Sequence, residues 1–163
     1  MKHTDTHIYF WSGEFSNWDY SPFIVDENSF SNSEQYFMYK KAKFFGDSEI
    51  AMEILKTPDP RENKELGRKV KNFDYSKWVE VSSQFMIEAC MHKFMQNDKH
   101  RQTLLNSEDK ILVEASPLDT VWGVGLHFTD PLILDEKNWG GKNLLGKTLM
   151  EVRTRLKNMK EFL

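Results

Sequence analysis

The sequence predicts a mostly helical fold with a few short strands. Helical periodicity is clearest over residues 76–97, where apolar side chains recur every three or four positions. Runs rich in β-preferring residues are short, as at residues 7–11 and 110–114. The chain has 163 residues, 39% of them hydrophobic, with five Trp, five Tyr and twelve Phe. We therefore expect a single domain over residues 1–163, built around one core.

The N-terminal part of the chain predicts short strands separated by an aromatic loop. Residues 7–11 predict the first strand. Residues 22–25 and 29–30 flank a polar turn, which predicts a hairpin. The loop before the hairpin carries Asn17 and Trp18. Its aromatic side chains either contact a ligand or pack on the core, and the sequence leaves both open.

The predicted helices each have a start or stop signal. Gly46 ends the first helix, and Asp59 before Pro60 is a strong start signal for the third. The longest helix has an apolar stripe that includes His92, which we therefore interpret as a packing residue. The predicted helices cover residues 32–45, 49–55, 59–70, 76–97, 98–105 and 144–156, with a loop at 128–139.

Composition excludes several classes of protein. The formal charge of −3 argues against a basic surface for tight, nonspecific nucleic-acid binding. A single cysteine, Cys90, excludes an internal disulfide and a multi-cysteine zinc site, and it fits a reducing compartment. Residues 1–5 contain no apolar signal region, and no run of 18 apolar residues occurs. We expect a cytoplasmic protein that does not associate with membranes.

The first predicted helix carries an acid, Glu34, in its first turn and an amine, Lys43, further along. A carboxylate and an amine on one short aromatic helix are suited to catalysis. The alternative is structural, because Ser31 and Glu34 have the spacing of a capping box, in which Glu34 would satisfy a backbone N–H group. By itself Lys43 is equally typical of a solvated lysine.

Residues 114–125 combine acids with small residues. Glu114 and Asp119 are the acids, and Trp122, Gly123 and Gly125 follow within a few positions. Glycines lack a Cβ atom, so this run allows the backbone to come close to a ligand.

Two further stretches are suited to binding an anion. Arg68, beside Gly67 on the third helix, can form a forked contact with a phosphate group, or it is simply a surface arginine. Gly140 and Gly141, followed by Lys142, precede the last helix, and these glycines can present free N–H groups to an anion. The chain has no Walker or Rossmann motif.

An ordered series of motifs resembles the NADAR family of YbiA-like N-glycosidases, and it covers nearly the whole chain. The motifs are Phe15-Ser16-Asn17-Trp18, Asn32-Ser33-Glu34-Gln35-Tyr36, Lys41-Ala42-x-x-Phe45-Gly46-Asp47, Leu66-Gly67-Arg68-x-Val70, Lys93-Phe94-x-Gln96-Asn97, Val113-Glu114-Ala115-Ser116-Pro117-x-Asp119, Trp122-Gly123-x-Gly125-Leu126 and Trp139-x-Gly141-x-Asn143-Leu144-Leu145-Gly146.

The resemblance implies an α+β fold, predominantly α-helical with a few short strands. It also implies an enzyme that hydrolyses the bond between ribose C1 and a nitrogen of a base or amine, without a metal or other cofactor. The first expected substrate is guanine carrying ADP-ribose, free or in nucleic acid. The alternative is a ribosylamino-pyrimidine phosphate of riboflavin synthesis. An alternative of another class is a module that binds ADP-ribose or a related nucleotide without turnover.

The resemblance also suggests roles for individual residues. We expect Glu34 and Asp119 to be catalytic, with Glu114 a weaker third candidate, and Lys43 to form a Schiff base with C1 of an opened sugar. Trp122 is expected to stack on the base or sugar, and Arg68 with Lys142 to hold phosphate groups. Asn17 and Asn143 are expected to bind ribose hydroxyls or to orient a carboxylate. The predicted substrate-binding residues are Asn17, Trp18, Tyr36, Arg68, Trp122, Gly123, Gly125, Lys142 and Asn143.

Overall fold

The computed structural model describes residues 1–159. Within them lie six α-helices and five short strands, so the predicted α+β class with predominant helix is confirmed. Contacts divide the chain into two compact units. Residues 17–98 form the central unit, and residues 1–16 together with residues 99 onward form the terminal unit. A single domain, expected from chain length, stays a prediction.

The terminal unit contains a three-stranded sheet in the order β1-β2-β5. The strands are β1 (Lys2–His3), β2 (His7–Phe10) and β5 (Ile111–Glu114). The pair β1-β2 is antiparallel, and β2-β5 is parallel with Tyr9 opposite Val113. Helix α6 (Leu144–Asn158) contacts β5. The buried core of this unit contains Tyr9, Val113, Ala115, Val124 and Ile133.

The remaining elements of the terminal unit are short. Helix α5 (Asp98–Leu105) starts where the chain leaves the central unit, as the sequence predicted. The predicted loop at residues 128–139 contains two 3₁₀ turns, Pro131–Leu134 and Glu136–Asn138. The side chains of Asp130 and Asp135 each accept a hydrogen bond from a backbone N–H group at the start of one of these turns. These caps explain why so short a stretch forms 3₁₀ turns without an apolar stripe.

The central unit is a hairpin with four helices. The predicted hairpin is confirmed as β3 (Phe23–Val25) paired antiparallel with β4 (Asn28–Phe30). Its turn residues Asp26 and Glu27 both have positive φ, the conformation that a two-residue hairpin turn requires. The helices are α1 (Ser33–Phe44), α2 (Ser48–Leu55), α3 (Pro60–Arg68) and α4 (Tyr75–Gln96).

Helix α1 contacts the other three helices of the central unit. Gly67 of α3 permits a close approach of Met38 of α1, whose Sδ a Cβ atom at Gly67 would overlap. Asp47, Asp59 and Asp74 cap α2, α3 and α4 through hydrogen bonds from backbone N–H groups. These local signals explain why the predicted boundaries differ from the observed ones by no more than two residues.

No helix within residues 1–159 has both the length and the apolar character needed to cross a bilayer.

Candidate active site

Glu34 lies in the first turn of α1 and is only 8% exposed. The predicted capping box is displaced by one residue, because Asn32 Oδ1 accepts the bond from Gln35 N at 2.8 Å. Gln35 Oε1 in turn accepts a bond from Ser31 N at 2.7 Å. The Glu34 backbone N–H donates to Asn17 O at 3.1 Å. The carboxyl group of Glu34 is thus not the group that caps this helix.

Lys41 lies on the same face of α1 as Glu34, because seven residues correspond to two helical turns. Its Nζ atom lies 4.6 Å from the centre of the Phe73 ring and 5.8 Å from that of Trp78. Burial lowers the pKa of Lys41 below the usual lysine value, the Glu34 carboxylate opposes this shift and the Arg68 guanidinium adds to it. Sequence reasoning missed all three of Lys41, Phe73 and Trp78 as site residues.

Aromatic rings form a wall beside the Lys41 amine. Phe45, at the end of α1, lies 5.3 Å from the Phe73 ring and 6.2 Å from the Trp78 ring, measured between centres. Phe37 of α1 also packs on Trp78, at 5.1 Å. The wall therefore combines α1, the first turn of α4 and the loop between α3 and α4. Burial is the largest cause of the lowered pKa of Lys41, and this wall forms part of the surface beside the amine.

Lys43 is exposed and points away from Glu34. Nine residues separate the two, so their directions differ by about 180° around a helix that turns about 100° per residue. Lys43 instead lines a surface pocket with Tyr36, Tyr39 and Lys40 on α1, against the hairpin. A catalytic role for Lys43 stays a prediction that this placement does not favour. Lys41 is the lysine that shares a face with Glu34.

Tyr36 belongs to the aromatic core of the central unit. Its ring lies 5.0 Å from Phe30, and its hydroxyl donates to Glu88 Oε2 at 3.3 Å. Burial, followed by the charge of Glu88, raises the pKa of Tyr36 above the normal tyrosine range. His92 packs on this cluster with its ring 5.7 Å from Tyr36, as predicted for a packing histidine. The buried position of Tyr36 gives it a packing role, and substrate binding by it stays a prediction.

The other predicted residues of the central unit differ in exposure. Asn17 is 8% exposed, and its Oδ1 accepts a bond from Ser33 Oγ at 3.0 Å. Its Nδ2 donates to Met86 Sδ at 3.4 Å, so both ends of this side chain contact protein atoms. Trp18 is 42% exposed, and Arg68 is exposed in the last turn of α3. Asn17 thus fixes the start of α1, while Trp18 and Arg68 have surface accessible to a ligand.

In the terminal unit, Asp119 shapes the turn that carries Trp122. Its Oδ1 accepts hydrogen bonds from Val121 N at 2.9 Å and from Trp122 N at 2.8 Å. Its own backbone N–H donates to Ser116 Oγ at 3.2 Å. Asp119 is half-buried, and so is Trp122. One carboxylate oxygen of Asp119 therefore has a structural role.

The glycines of this unit pack against protein backbone. A Cβ atom at Gly123 would lie 2.8 Å from Asp119 O, and one at Gly141 would overlap Gly123 O. Gly125 has φ +77°, a left-handed conformation that favours glycine. The neighbour that comes close to Gly123 is thus another part of the chain. Ligand contact by Gly123 or Gly125 stays a prediction.

The expectation of free N–H groups before the last helix is wrong. All five backbone N–H groups of residues 141–145 donate to carbonyl oxygens of residues 120–124. The bonds are Gly141 to Val124 at 3.0 Å, Lys142 to Thr120 at 2.9 Å, Asn143 to Gly123 at 3.2 Å, Leu144 to Val121 at 3.3 Å and Leu145 to Trp122 at 3.1 Å. The Lys142 residue is exposed, so only its side chain remains a candidate for an anion.

Asn143 joins the start of α6 to the end of β5. It is 3% exposed and has φ 53°, and its Oδ1 accepts a bond from Glu114 N at 3.0 Å. Its Nδ2 donates to Leu112 O at 2.9 Å. Gly146 makes room for this contact, because a Cβ atom there would overlap Leu112 O. Asn143 thus positions the backbone of the candidate acid Glu114, and a bond to a ribose hydroxyl stays a prediction.

No group of three or more His, Cys, Asp or Glu residues in the described part of the chain could hold a metal ion.

Comparison with known proteins identifies the family. A family model described as the NADAR domain matches residues 9–157, so the chain belongs to the NADAR family. Protein irg-1 of Caenorhabditis elegans is 44% identical over 135 residues, which are 82% of this chain and 64% of that protein. N-glycosidase R617 of Acanthamoeba polyphaga mimivirus is 34% identical, over 92% of this chain and 96% of its own.

A solved structure agrees with this membership. The NMR structure of the Escherichia coli protein YbiA matches with a TM-score of 0.77 and 32% identity, over 96% of this chain and 88% of that one. The curated E. coli relative bears the name N-glycosidase YbiA. These names support N-glycosidase activity within the family.

Proposed function

We propose that this chain is an N-glycosidase that hydrolyses the bond between ribose C1 and an exocyclic nitrogen of a base, with ADP-ribosylated guanine as its substrate. The observation that carries the proposal is the Lys41 amine, which is half-buried, has a lowered pKa and shares a face of α1 with Glu34. The N-glycosidase names of relatives that align over nearly the whole chain support the reaction class.

Cleavage of a ribosyl C1–N bond builds positive charge on the sugar as the nitrogen leaves. A glycoside of an exocyclic amine has a second route, because its sugar ring can open while the nitrogen lone pair forms a double bond to C1. The open form is an iminium ion, which a neutral amine attacks readily. A lysine with a lowered pKa beside a carboxyl group suits this route.

The proposed reaction begins with the ring oxygen taking a proton from the carboxyl group of Glu34 while the C1–O bond breaks. The Lys41 amine then adds to C1 of the iminium ion. A proton moves from the Lys41 nitrogen to the leaving nitrogen, through Glu34, and the base departs as a neutral amine. The Lys41 nitrogen is left joined to C1 by a protonated imine. Water adds to that imine and Glu34 takes one of its protons. The proton of the new C1 hydroxyl then moves to the Lys41 nitrogen as the C1–N bond breaks, so the sugar leaves as an aldehyde and Lys41 is regenerated as an amine.

Burial is the largest of three effects on the pKa of Lys41. The Glu34 carboxylate favours the ammonium form, whereas burial and the Arg68 guanidinium favour the neutral amine. The net effect on the pKa is a decrease, so more of the amine is neutral at physiological pH than in an exposed lysine.

The terminal unit carries further candidate binding residues. Within it, Asp119 is proposed as a carboxylate that acts on the substrate and Trp122 as a ring that stacks on a base, a contact worth roughly 1–3 kcal/mol. Lys142 of this unit and Arg68 of the central unit are each proposed to bind phosphate, because both residues are exposed and cationic. We propose that activity needs no metal ion and therefore survives chelation with EDTA.

The decisive experiment measures release of ADP-ribose from ADP-ribosylated guanosine and DNA. Release of ribose 5-phosphate from the ribosylamino-pyrimidine is measured beside it, using wild type and Glu34→Gln. Turnover of the guanine substrate by wild type and its loss in the mutant supports the proposal. Turnover of the ribosylamino-pyrimidine alone would contradict ADP-ribosylated guanine as the substrate. Binding of ADP-ribose by both proteins without turnover would contradict the enzyme class and favour a binding module.

A further inference from the structure

The loop between α3 and α4, residues 69–74, supplies one of the two rings that face the Lys41 amine. Phe73 of this loop is 44% exposed, although its ring centre lies 4.6 Å from Lys41 Nζ. A ring with that much exposed surface is weakly held by its own burial. Besides the contact of its ring with Phe45, the backbone of the loop therefore helps to fix where Phe73 lies. The loop turns at Asn72, which has φ 61°.

Asp47 holds this loop to the end of α1. It is 6% exposed, and its Oδ2 accepts a hydrogen bond from Lys71 N at 2.9 Å, two residues before Phe73. Its Oδ1 accepts a bond from Ile50 N at 3.1 Å and so caps α2. Its own backbone N–H donates to Ala42 O, next to Lys41, at 2.9 Å. One residue thus connects the Lys41 segment, the start of α2 and the loop.

The Asp47 carboxylate is ionised at neutral pH. The bonds from Lys71 N and Ile50 N lower its pKa below the usual aspartate value. A hydrogen bond to an ionised acceptor is roughly twice as strong as one between neutral groups. The bond to Lys71 N is thus a strong hydrogen bond to a loop whose Val70 is buried but whose residues 71–73 are exposed.

We propose that Asp47 is a positioning residue for the Lys41 site, whose carboxylate holds the 69–74 loop where Phe73 covers the Lys41 amine. The proposal rests on the proposed function only in that Lys41 is the reacting amine. In this proposal the anchored loop keeps water from the Lys41 amine. Neither Asp47 oxygen needs to touch the substrate.

An effect of Asp47 through the position of the loop can be distinguished from a direct effect of its charge on Lys41. Glu34 on α1 and Arg68 on α3 are the charged groups that act on Lys41, and Asp47 is not among them. Loss of a nearby negative charge would by itself lower the pKa of an ammonium group. Release of the loop would instead let water reach Lys41 and raise its pKa. The two explanations predict opposite signs.

The test uses Asp47→Asn in the full chain. The asparagine oxygen can still cap α2, because Asn is as good an N-cap as Asp. Its NH₂ group cannot accept a hydrogen bond, so the variant loses the bond from Lys71 N when its oxygen stays on Ile50 N. The matched control is Asp59→Asn, because Asp59 caps α3 through Arg61 N at 2.8 Å and lies on another segment.

The readout is the pKa of Lys41, which requires no substrate. Lysines are methylated reductively with ¹³C-formaldehyde, the Lys41 signal is assigned with Lys41→Arg, and NMR follows its titration. We expect the pKa to rise towards that of an exposed lysine in Asp47→Asn and to stay at the wild-type value in Asp59→Asn. Each unit of increase lowers the neutral fraction of the amine about tenfold.

An unchanged or lower Lys41 pKa in a folded Asp47→Asn protein would overturn the proposal. If circular dichroism shows that this variant does not fold, Phe73→Ala leaves every Asp47 bond intact and removes only the ring. Removal of the ring would let water reach the Lys41 amine, so the proposal requires the Lys41 pKa to rise in this variant as well. No change there would also overturn the proposal. A lack of glycosidase turnover in wild type would contradict the proposed function while leaving this measurement unaffected.

Discussion

Glu34 and Lys41 lie two turns apart on one face of α1, and the Glu34 carboxylate attracts the charge of an ammonium group whose burial disfavours it. The pair therefore combines an acid that can pass protons with an amine that is partly neutral. These are the two groups that attack on an opened sugar requires. The same helix presents Lys43 to the opposite side, in a separate pocket.

This placement predicts different results for two lysines on one helix. Lys41→Met removes the amine and keeps an unbranched apolar chain, so we expect turnover to be lost with little change in fold. Lys43→Met is the matched control and should retain wild-type turnover, because Lys43 is exposed on the other face. Borohydride added during turnover should give a covalent adduct in wild type and Lys43→Met and none in Lys41→Met, as measured by mass spectrometry. Trapping that persisted in Lys41→Met would contradict the assignment.

The pH dependence of the reaction follows from the Lys41 pKa. The reacting form has the Glu34 carboxyl group protonated and the Lys41 amine neutral, so the two groups share one proton. The rate should therefore fall as the pH rises past the Lys41 pKa, which burial lowers below that of an ordinary lysine. Arg68→Gln removes a positive charge that disfavours the ammonium form. Its profile should therefore move to higher pH. Rates of ADP-ribose release at saturating substrate measure this shift, and a move to lower pH would contradict it.

Local signals in the sequence were enough to predict most of the fold. Asp59 with Pro60 starts α3, Gly46 ends α1 with φ +77°, and the polar turn at Asp26 and Glu27 makes the hairpin. Each of these depends on neighbours within four residues. Predictions of this kind depend little on the tertiary structure, which is why the observed boundaries agree with them.

The candidate site was predictable only in part, because its properties depend on distant residues. Glu34 was identified, but the choice between Lys41 and Lys43 depended on helix phase and on rings from Phe73 and Trp78, more than 30 residues further along. The N–H groups of the glycines before α6 were expected to be free, but that of Gly141 donates to Val124 O, an acceptor that is not adjacent in sequence. Such pairings cannot be inferred from local spacing.

Gly146 tests the contact between α6 and β5. A Cβ atom there would overlap the carbonyl oxygen of Leu112, a backbone atom that cannot rotate away. Gly146→Ala gains roughly 1 kcal/mol of helix propensity but should lose more through overpacking, which costs about 1–3 kcal/mol and sometimes more. Gly140→Ala is the control, because nothing lies within 4 Å of its Cβ position. Chemical denaturation should show a lower free energy of unfolding for Gly146→Ala alone.

Asn143 should contribute to stability through its two buried hydrogen bonds. Asn143→Ala leaves Glu114 N and Leu112 O without their side-chain partner, and an unsatisfied buried group costs about 1–3 kcal/mol. The free energy of unfolding should therefore fall by at least about 2 kcal/mol. Asn138→Ala provides the comparison, because its Nδ2 donates to Leu132 O at a similar 3.0 Å on the exposed surface, where the cost should stay within about 0.5 kcal/mol. Equal losses in the two variants, measured by urea denaturation, would show that burial of the Asn143 bonds contributes nothing.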